Sequence, residues 1–144
     1  MVNFSGIWEV VEWDDESFLK FFAAMGAPDP NRSFQLFKTV QKFEIIDKED
    51  LVILRIPDPA SEGGKRDIPF KVGEESGAVG PVGVPMKKFT IKEGNKLIFH
   101  ETAPDGQKNI TVRELQGDKM ILTKTHEGTG VTGRCVWKRE GGKL

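Results

Sequence analysis

The chain has 144 residues, of which 38% are apolar and 30% are charged, and its 21 basic and 22 acidic side chains give a formal net charge of −1. These values fit one globular domain, and they argue against intrinsic disorder and against the basic surface that nucleic-acid binding needs. A single cysteine and two histidines exclude an internal disulfide and leave few ligands for a metal site. We therefore predict no metal and no cofactor.

Two short helices are predicted near the N-terminus, within residues 14–38. Asp14 is a candidate N-cap for the first helix, and Asp29-Pro30 is a cap followed by proline at the first position of the second. Their apolar side chains recur at the spacing of one helical face and are expected to pack against the core. These side chains are Phe18, Phe21, Phe22, Met25, Phe34 and Phe37.

The rest of the chain is predicted to form β-strands joined by turns. Apolar or β-branched runs alternate with turn-forming sequences such as Glu93-Gly94-Asn95 and Gln116-Gly117-Asp118. The runs lie at 4–11, 39–46, 51–56, 66–72, 86–92, 96–103, 108–115, 119–125 and 131–138. Gly73–Pro85 contains too many glycines and prolines for a central strand. The pattern is typical of an antiparallel meander in an all-β barrel or sandwich. A closed barrel of this kind can enclose a small ligand, and the helices would cover one open end.

Several segments, in their order along the chain, carry a resemblance to a known family. They are Phe4-Ser5-Gly6-Ile7-Trp8, Ser17-Phe18 with Met25-Gly26, Phe70-Lys71-Val72-Gly73-Glu74-Glu75, Thr111–Leu115, Gly117–Thr123 and Val131–Arg134. Together they resemble the intracellular lipid-binding proteins, which include the fatty-acid-binding and cellular retinoid-binding proteins. The resemblance implies an all-β fold in a single domain over 1–144: an antiparallel up-and-down barrel (β-clam) of about ten strands. A helix-turn-helix lid would lie between its first and second strands.

The resemblance also implies a function, that of a non-enzymatic carrier for a long-chain fatty acid or similar hydrophobic carboxylate. The family holds the carboxylate with an arginine in the eighth strand and an Arg-x-Tyr in the tenth. Arg113 and Arg134 stand at the arginine positions, and Val136 replaces the tyrosine. In this register Cys135 would point outward.

The same register places four further side chains inside the barrel, namely Phe99, Glu101, Leu122 and Lys124. The interior would then hold three cations and one carboxylate, with Glu101 paired to an arginine. In the lid, Phe18, Met25 and Phe37 would line the mouth of the cavity. The candidate ligand-binding residues are therefore Phe18, Met25, Phe37, Phe99, Glu101, Arg113, Leu122, Lys124, Arg134 and Val136.

Two of these placements have alternatives in the residue pattern. Strand alternation alone would put Ile110 and Val112 on the core face and Arg113 outside. The long side chain of Lys124 could instead extend its charged amine to the rim of the barrel or into solvent.

The function has alternatives as well. Gly6-Ile7-Trp8 also fits the Gly-x-Trp opening of lipocalins, so a barrel for a retinoid, bile pigment or haem is the nearest rival. An enzyme that uses the cavity, such as a lipid isomerase, is another class, although no nucleophile–base arrangement stands out. We expect a cytoplasmic protein because the N-terminus has no signal-peptide pattern. We also expect a monomer whose partner is a small hydrophobic ligand and which binds no nucleic acid. The lid is a candidate for transient membrane contact.

Overall fold

The computed structural model describes residues 2–79 and 83–140, which contain ten strands and two α-helices. The helices α1 (Asp15–Ala24) and α2 (Pro30–Phe37) lie between the first two strands, and a 3₁₀ turn spans Glu62–Gly64. The strands are β1 (Gly6–Trp13), β2 (Lys42–Asp47), β3 (Leu51–Pro57), β4 (Lys65–Lys71), β5 (Glu75–Val79), β6 (Pro85–Glu93), β7 (Lys96–Thr102), β8 (Lys108–Gln116), β9 (Lys119–His126) and β10 (Thr132–Glu140).

All ten strands belong to one antiparallel sheet, in the order β4-β3-β2-β1-β10-β9-β8-β7-β6-β5. Pairing of β1 with β10 joins the two ends of the chain and curls the sheet into a nearly closed barrel. Between β4 and β5 the described residues form no ladder, and Arg66 Nη2 spans this gap to donate a hydrogen bond to the Val79 carbonyl at 2.9 Å. The predicted up-and-down barrel with two helices after its first strand is confirmed.

The strands bury alternate residues, as a sheet with one covered face requires. In β2 the buried apolar residues are Phe43 and Ile45, and in β3 they are Val52, Leu54 and Ile56. Since the sheet curls toward this face, these side chains form the inner wall of the barrel.

Both predicted helices are present, and each begins at its predicted cap. The Asp14 carboxylate accepts a hydrogen bond from the Ser17 backbone N–H at 3.1 Å, and Asp29 accepts one from Arg32 N–H at 3.1 Å. The buried face of the pair consists of Phe18, Phe21, Phe22 and Phe34. No helix in the described ranges is long and apolar enough to cross a membrane.

One edge strand, β5, lies where the residue pattern predicted none, in the glycine-rich and proline-rich segment 73–85. It has only five residues and pairs with β6 alone. Gly73 adopts a positive φ of 81° in the preceding turn. An edge strand tolerates such neighbours because it needs backbone pairing on one side only.

The lid is seated by a close approach between α1 and β10. The Phe18 ring stacks on Phe34 with centroids 5.4 Å apart and lies directly over Gly133. A Cβ atom at position 133 would be 2.7 Å from Phe18 Cδ1, well inside normal contact distance. The barrel therefore needs glycine at this position.

We expect Gly133→Ala to lower the free energy of unfolding by about 1–3 kcal/mol, because the added methyl group overpacks the lid contact. The measurement is the urea midpoint. Gly77→Ala is the matched control, since no described atom would lie within 4 Å of a Cβ atom at position 77. Combining Gly133→Ala with Phe18→Leu should recover part of the loss, and strict additivity would contradict the proposed contact.

Candidate functional site

A cavity of about 450 Å³ lies inside the barrel, beneath the two helices. Small-molecule sites have volumes of about 300–1,000 Å³. The wall is mostly apolar and includes Phe43, Leu54, Ile56, Ile68, Phe70 and Phe99. At the lid end it is formed by Phe21, Phe22, Met25 and Phe37.

The structure places the ten predicted site residues in two groups. Six line the cavity: Met25, Phe37, Phe99, Glu101, Arg113 and Lys124. The other four do not: Phe18, Leu122, Arg134 and Val136. Phe18 and Leu122 are fully buried in the packed core, so their inward direction is correct although they do not reach the cavity. Ligand contact by the first group remains a prediction.

The predicted register of β10 is wrong by one residue. Arg134 is exposed on the outside of the barrel, and its backbone N–H donates to Ser17 Oγ at 3.1 Å. Val136 is buried but outside the core cluster, whereas Cys135 and Trp137 belong to that cluster. Because successive side chains in a strand point to opposite faces, a shift of one residue exchanges the two sets. Cys135 therefore points inward, and Arg134 cannot hold a ligand in the cavity.

Arg113 is the arginine that lies inside, on β8. Its guanidinium carbon is 5.0 Å from the centre of the Phe43 ring. Nε and Nη1 are buried and have no hydrogen-bond partner among the described residues. Burial lowers the pKa of Arg113 to about 10, so the side chain remains a cation at neutral pH.

A second group of charges surrounds Glu101, which is only 2% exposed. Lys88 Nζ lies 3.0 Å from one carboxylate oxygen, and Lys124 Nζ lies 3.3 Å from the other. Thr111 Oγ1 donates to Glu101 at 2.8 Å and accepts from Lys124 Nζ at 2.9 Å. We call these four residues the Glu101 cluster. Lys124 therefore lies inside, and Glu101 pairs with two lysines instead of an arginine.

The pKa values in this cluster follow from burial and pairing. Burial alone would raise the pKa of Glu101, but the nearby charges of Lys124 and Lys88 outweigh it and lower that pKa to about 2. Burial also lowers the pKa of Lys124, with opposition from Glu101. Burial raises the pKa of Cys135 to about 12, so its inward thiol stays neutral.

Several polar residues of the site were missed in the sequence, including Thr111 of the Glu101 cluster. Lys88 directly follows the exposed Lys87, and only the alternation of side chains along β6 indicates that Lys88 points inward. Trp137 was missed through the register error, and its Nε1 is a buried donor with no partner in the described chain. Asn109 also lines the cavity, and its Oδ1 is buried and likewise unpartnered.

We expect Glu101→Gln to lower the free energy of unfolding at pH 7 by about 3 kcal/mol, because two largely buried lysines lose the counter-charge of a fully buried carboxylate. The folded-state pKa of Glu101 lies below its ordinary value, so its contribution is complete above about pH 4.5 and is lost as pH falls towards 2. The difference between wild type and variant should therefore shrink over that interval. Urea unfolding at several pH values measures it.

Glu114→Gln is the matched control for this experiment. Glu114 is only partly buried and lies 3.9 Å from Lys96, so its loss should change stability by less than about 1 kcal/mol. A stability difference for Glu101→Gln that is constant from pH 7 to pH 2 would contradict the assigned pairing.

Known proteins resemble this chain in both sequence and structure. It is 26% identical to the intestinal fatty acid-binding protein of Rattus norvegicus over 138 residues, covering 95% of this chain and 98% of the rat protein. The fatty-acid-binding protein isolated from Manduca sexta has a TM-score of 0.76 at 19% identity, over 94% of this chain and 99% of its own. Wild-type fluorescent protein UnaG also has a TM-score of 0.76, at 22% identity over 95% and 97%.

A third structure, lipid binding protein 8 of Caenorhabditis elegans, has a TM-score of 0.72 at 18% identity over 97% of this chain and 99% of its own. No protein-family model matches the chain. The structural similarities confirm the fold, and the match to the rat protein extends along nearly the whole sequence. Together they confirm the resemblance of this chain to the intracellular lipid-binding proteins.

Proposed function

We propose that this protein is a non-enzymatic carrier that binds a fatty acid or a similar hydrophobic anion inside the barrel, with the head group on Arg113. The observation that carries the proposal is a buried guanidinium with unpartnered N–H donors in a largely apolar cavity. The names of the rat and Manduca sexta relatives, both fatty-acid-binding proteins, support the ligand class.

The physical argument begins with the cost of the unpaired charge. An isolated cation that is taken out of water loses several kcal/mol of solvation, which an anionic partner restores. A carboxylate matches the planar guanidinium with two parallel hydrogen bonds. Trp137 Nε1 lines the same cavity and offers a further donor, one residue beyond the position where the resemblance implied a tyrosine hydroxyl.

The apolar part of the cavity suits the chain of such a ligand. Phe43, next to Arg113, begins an apolar wall that continues through Leu54 and Phe70 to the lid residues Met25 and Phe37. Burial of an alkyl chain contributes about 0.8 kcal/mol for each methylene group. An ionic anchor and an apolar wall together favour an amphiphile over a polar metabolite.

A carrier of this kind is expected to act as a cytoplasmic monomer, and its lid to contact membranes transiently. An enzyme that uses the cavity is the competing class. Incubation with candidate lipids followed by mass spectrometry separates the two, because a carrier returns its ligand unchanged.

We expect Arg113→Gln to weaken fatty-acid binding about 10- to 100-fold, because charge-assisted hydrogen bonds contribute about 1.5–3 kcal/mol. The methyl ester of the same acid should bind both proteins with similar affinity. Titration of acid and ester in a fluorescent-probe displacement assay measures the difference.

Arg134→Gln is the matched control, since Arg134 is an exposed arginine on the outer face of β10. It should leave the affinity for acid and ester unchanged. Equal losses for acid and ester in Arg113→Gln would show that Arg113 does not bind the head group.

Phe37 and Phe18 provide a test of the lid. Phe37→Ala removes a ring from the cavity wall and should raise the dissociation rate of the ligand. Phe18→Ala should instead lower the free energy of unfolding by about 3–5 kcal/mol, since Phe18 lies in the core and outside the cavity lining. Stopped-flow dissociation and urea unfolding separate the two effects, and an unchanged dissociation rate for Phe37→Ala would exclude it from the exit route.

A further inference from the structure

The ionic side chains of the cavity do not balance. Lys88, Arg113 and Lys124 are cations, and Glu101 is the one acidic residue of the described lining that is buried. Asp105, the other acidic residue of the lining, is exposed at the rim and accepts hydrogen bonds from Gln107. The interior therefore carries an excess of two positive charges.

The excess is divided between two places. Glu101 has two lysine partners, at 3.0 Å and 3.3 Å, and one carboxylate neutralises only one of them. Arg113 lies on the same face of β8 as Thr111 of the Glu101 cluster, two residues further along the strand, and has no carboxylate partner of its own among the described residues. Each place therefore retains one positive charge.

Other acidic side chains of the interior do not compensate this excess. Asp47 is buried, but it pairs with Lys92 and accepts a hydrogen bond from the Phe4 backbone N–H at 3.0 Å. The Cys135 thiol lies near Arg113, but burial keeps it in its neutral form. The described interior therefore leaves the excess without a counter-charge, which an anionic ligand would supply.

We propose that the preferred ligand is an amphiphile whose head group carries two negative charges, one for Arg113 and one for the lysines of the Glu101 cluster. The inference rests on the proposed function and narrows its ligand class. A phosphate monoester and a dicarboxylate both supply this chemistry. A simple fatty acid neutralises half of the excess and is expected to bind more weakly than either.

Tetradecyl phosphate and tetradecyl sulfate make the sharpest comparison, because both heads are tetrahedral and the chains are identical. The sulfate has one charge at every pH used, whereas the phosphate gains its second charge near pH 6. We expect the phosphate to bind about tenfold more tightly than the sulfate at pH 7.5, and this ratio to approach one at pH 5. Probe-displacement titration measures both.

The sulfate also controls for titration of the protein. The charged or titratable groups that face the head-group region are Lys88 on β6, Glu101 on β7, Arg113 on β8, Lys124 on β9 and the neutral Cys135 on β10, with Asp105 at the rim. A change in any of them between pH 5 and 7.5 alters the binding of both ligands, so the affinity ratio isolates the ligand's own charge. Tetradecylmalonate against palmitate repeats the comparison for carboxylates and distinguishes the two sources of dianion.

Variants connect the preference to the named lysines. Lys124→Met removes one of the two excess charges and should reduce the phosphate-to-sulfate ratio several-fold. Lys88→Met should do the same from the neighbouring strand and serves as a second variant if the first unfolds. Lys87→Met is the matched control, since Lys87 is exposed on the other face of β6, and it should leave the ratio unchanged.

The possible outcomes test the dianion inference and the carrier proposal separately. A dianion preference that depends on Lys88 or Lys124 supports the inference. Equal affinity for phosphate and sulfate at pH 7.5, with palmitate bound as tightly as tetradecylmalonate, overturns it and leaves the carrier proposal standing. Failure of every amphiphile to displace the probe overturns both.

Discussion

The alternation of side chains in a single curled sheet is the constraint on which the rest of this molecule depends. Each strand has one inner face, so every second residue must either fill the core or border the cavity. The polar side chains that lie inside, such as Glu101, Thr111 and Lys124, occupy inner positions on adjacent strands and can therefore satisfy one another. Apolar residues at many of the other inner positions reduce the exposure of this group to solvent and strengthen its electrostatic interactions.

The cavity contains buried charged groups, and these groups differ in how well neighbouring side chains stabilise their charge. Glu101 is surrounded by cations and by the Thr111 hydroxyl, so its ionised form is strongly favoured. Arg113 has the face of Phe43 and the neutral Cys135 thiol beside it, and a ring quadrupole stabilises a cation far less than a carboxylate does. The Glu101 carboxylate is therefore fully paired, whereas Lys88 and Lys124 share that one carboxylate and Arg113 has none among the described residues.

Local sequence signals predicted the helices well, because Asp14 and Asp29 cap them through contacts within three residues.

The inner faces of β8 and β10 show why the site residues were harder to predict than the helices. Alternation of apolar residues would have placed Arg113 outside, and the family resemblance correctly placed it inside. For β10 the resemblance misplaced Arg134, whereas the small and apolar series Gly133, Cys135 and Trp137 marks the true inner face. An inward arginine breaks the apolar pattern, so neither rule suffices alone. The ion pair of Lys88 joins it to Glu101 on the neighbouring strand, so no pattern within β6 alone indicates it.

The barrel wall resists widening less at the gap between β4 and β5 than elsewhere among the described residues. Elsewhere around the described wall, widening the barrel would stretch rows of backbone hydrogen bonds, and at β10 the main chain lies directly against the Phe18 ring of the lid. Across the gap, the bond from Arg66 to the Val79 carbonyl is a contact through one flexible side chain. Widening the barrel at this gap would therefore break one side-chain hydrogen bond and no ladder among the described residues. A change in cavity width at the gap between β4 and β5 would leave the distances between the charged side chains on β6 to β9 unchanged.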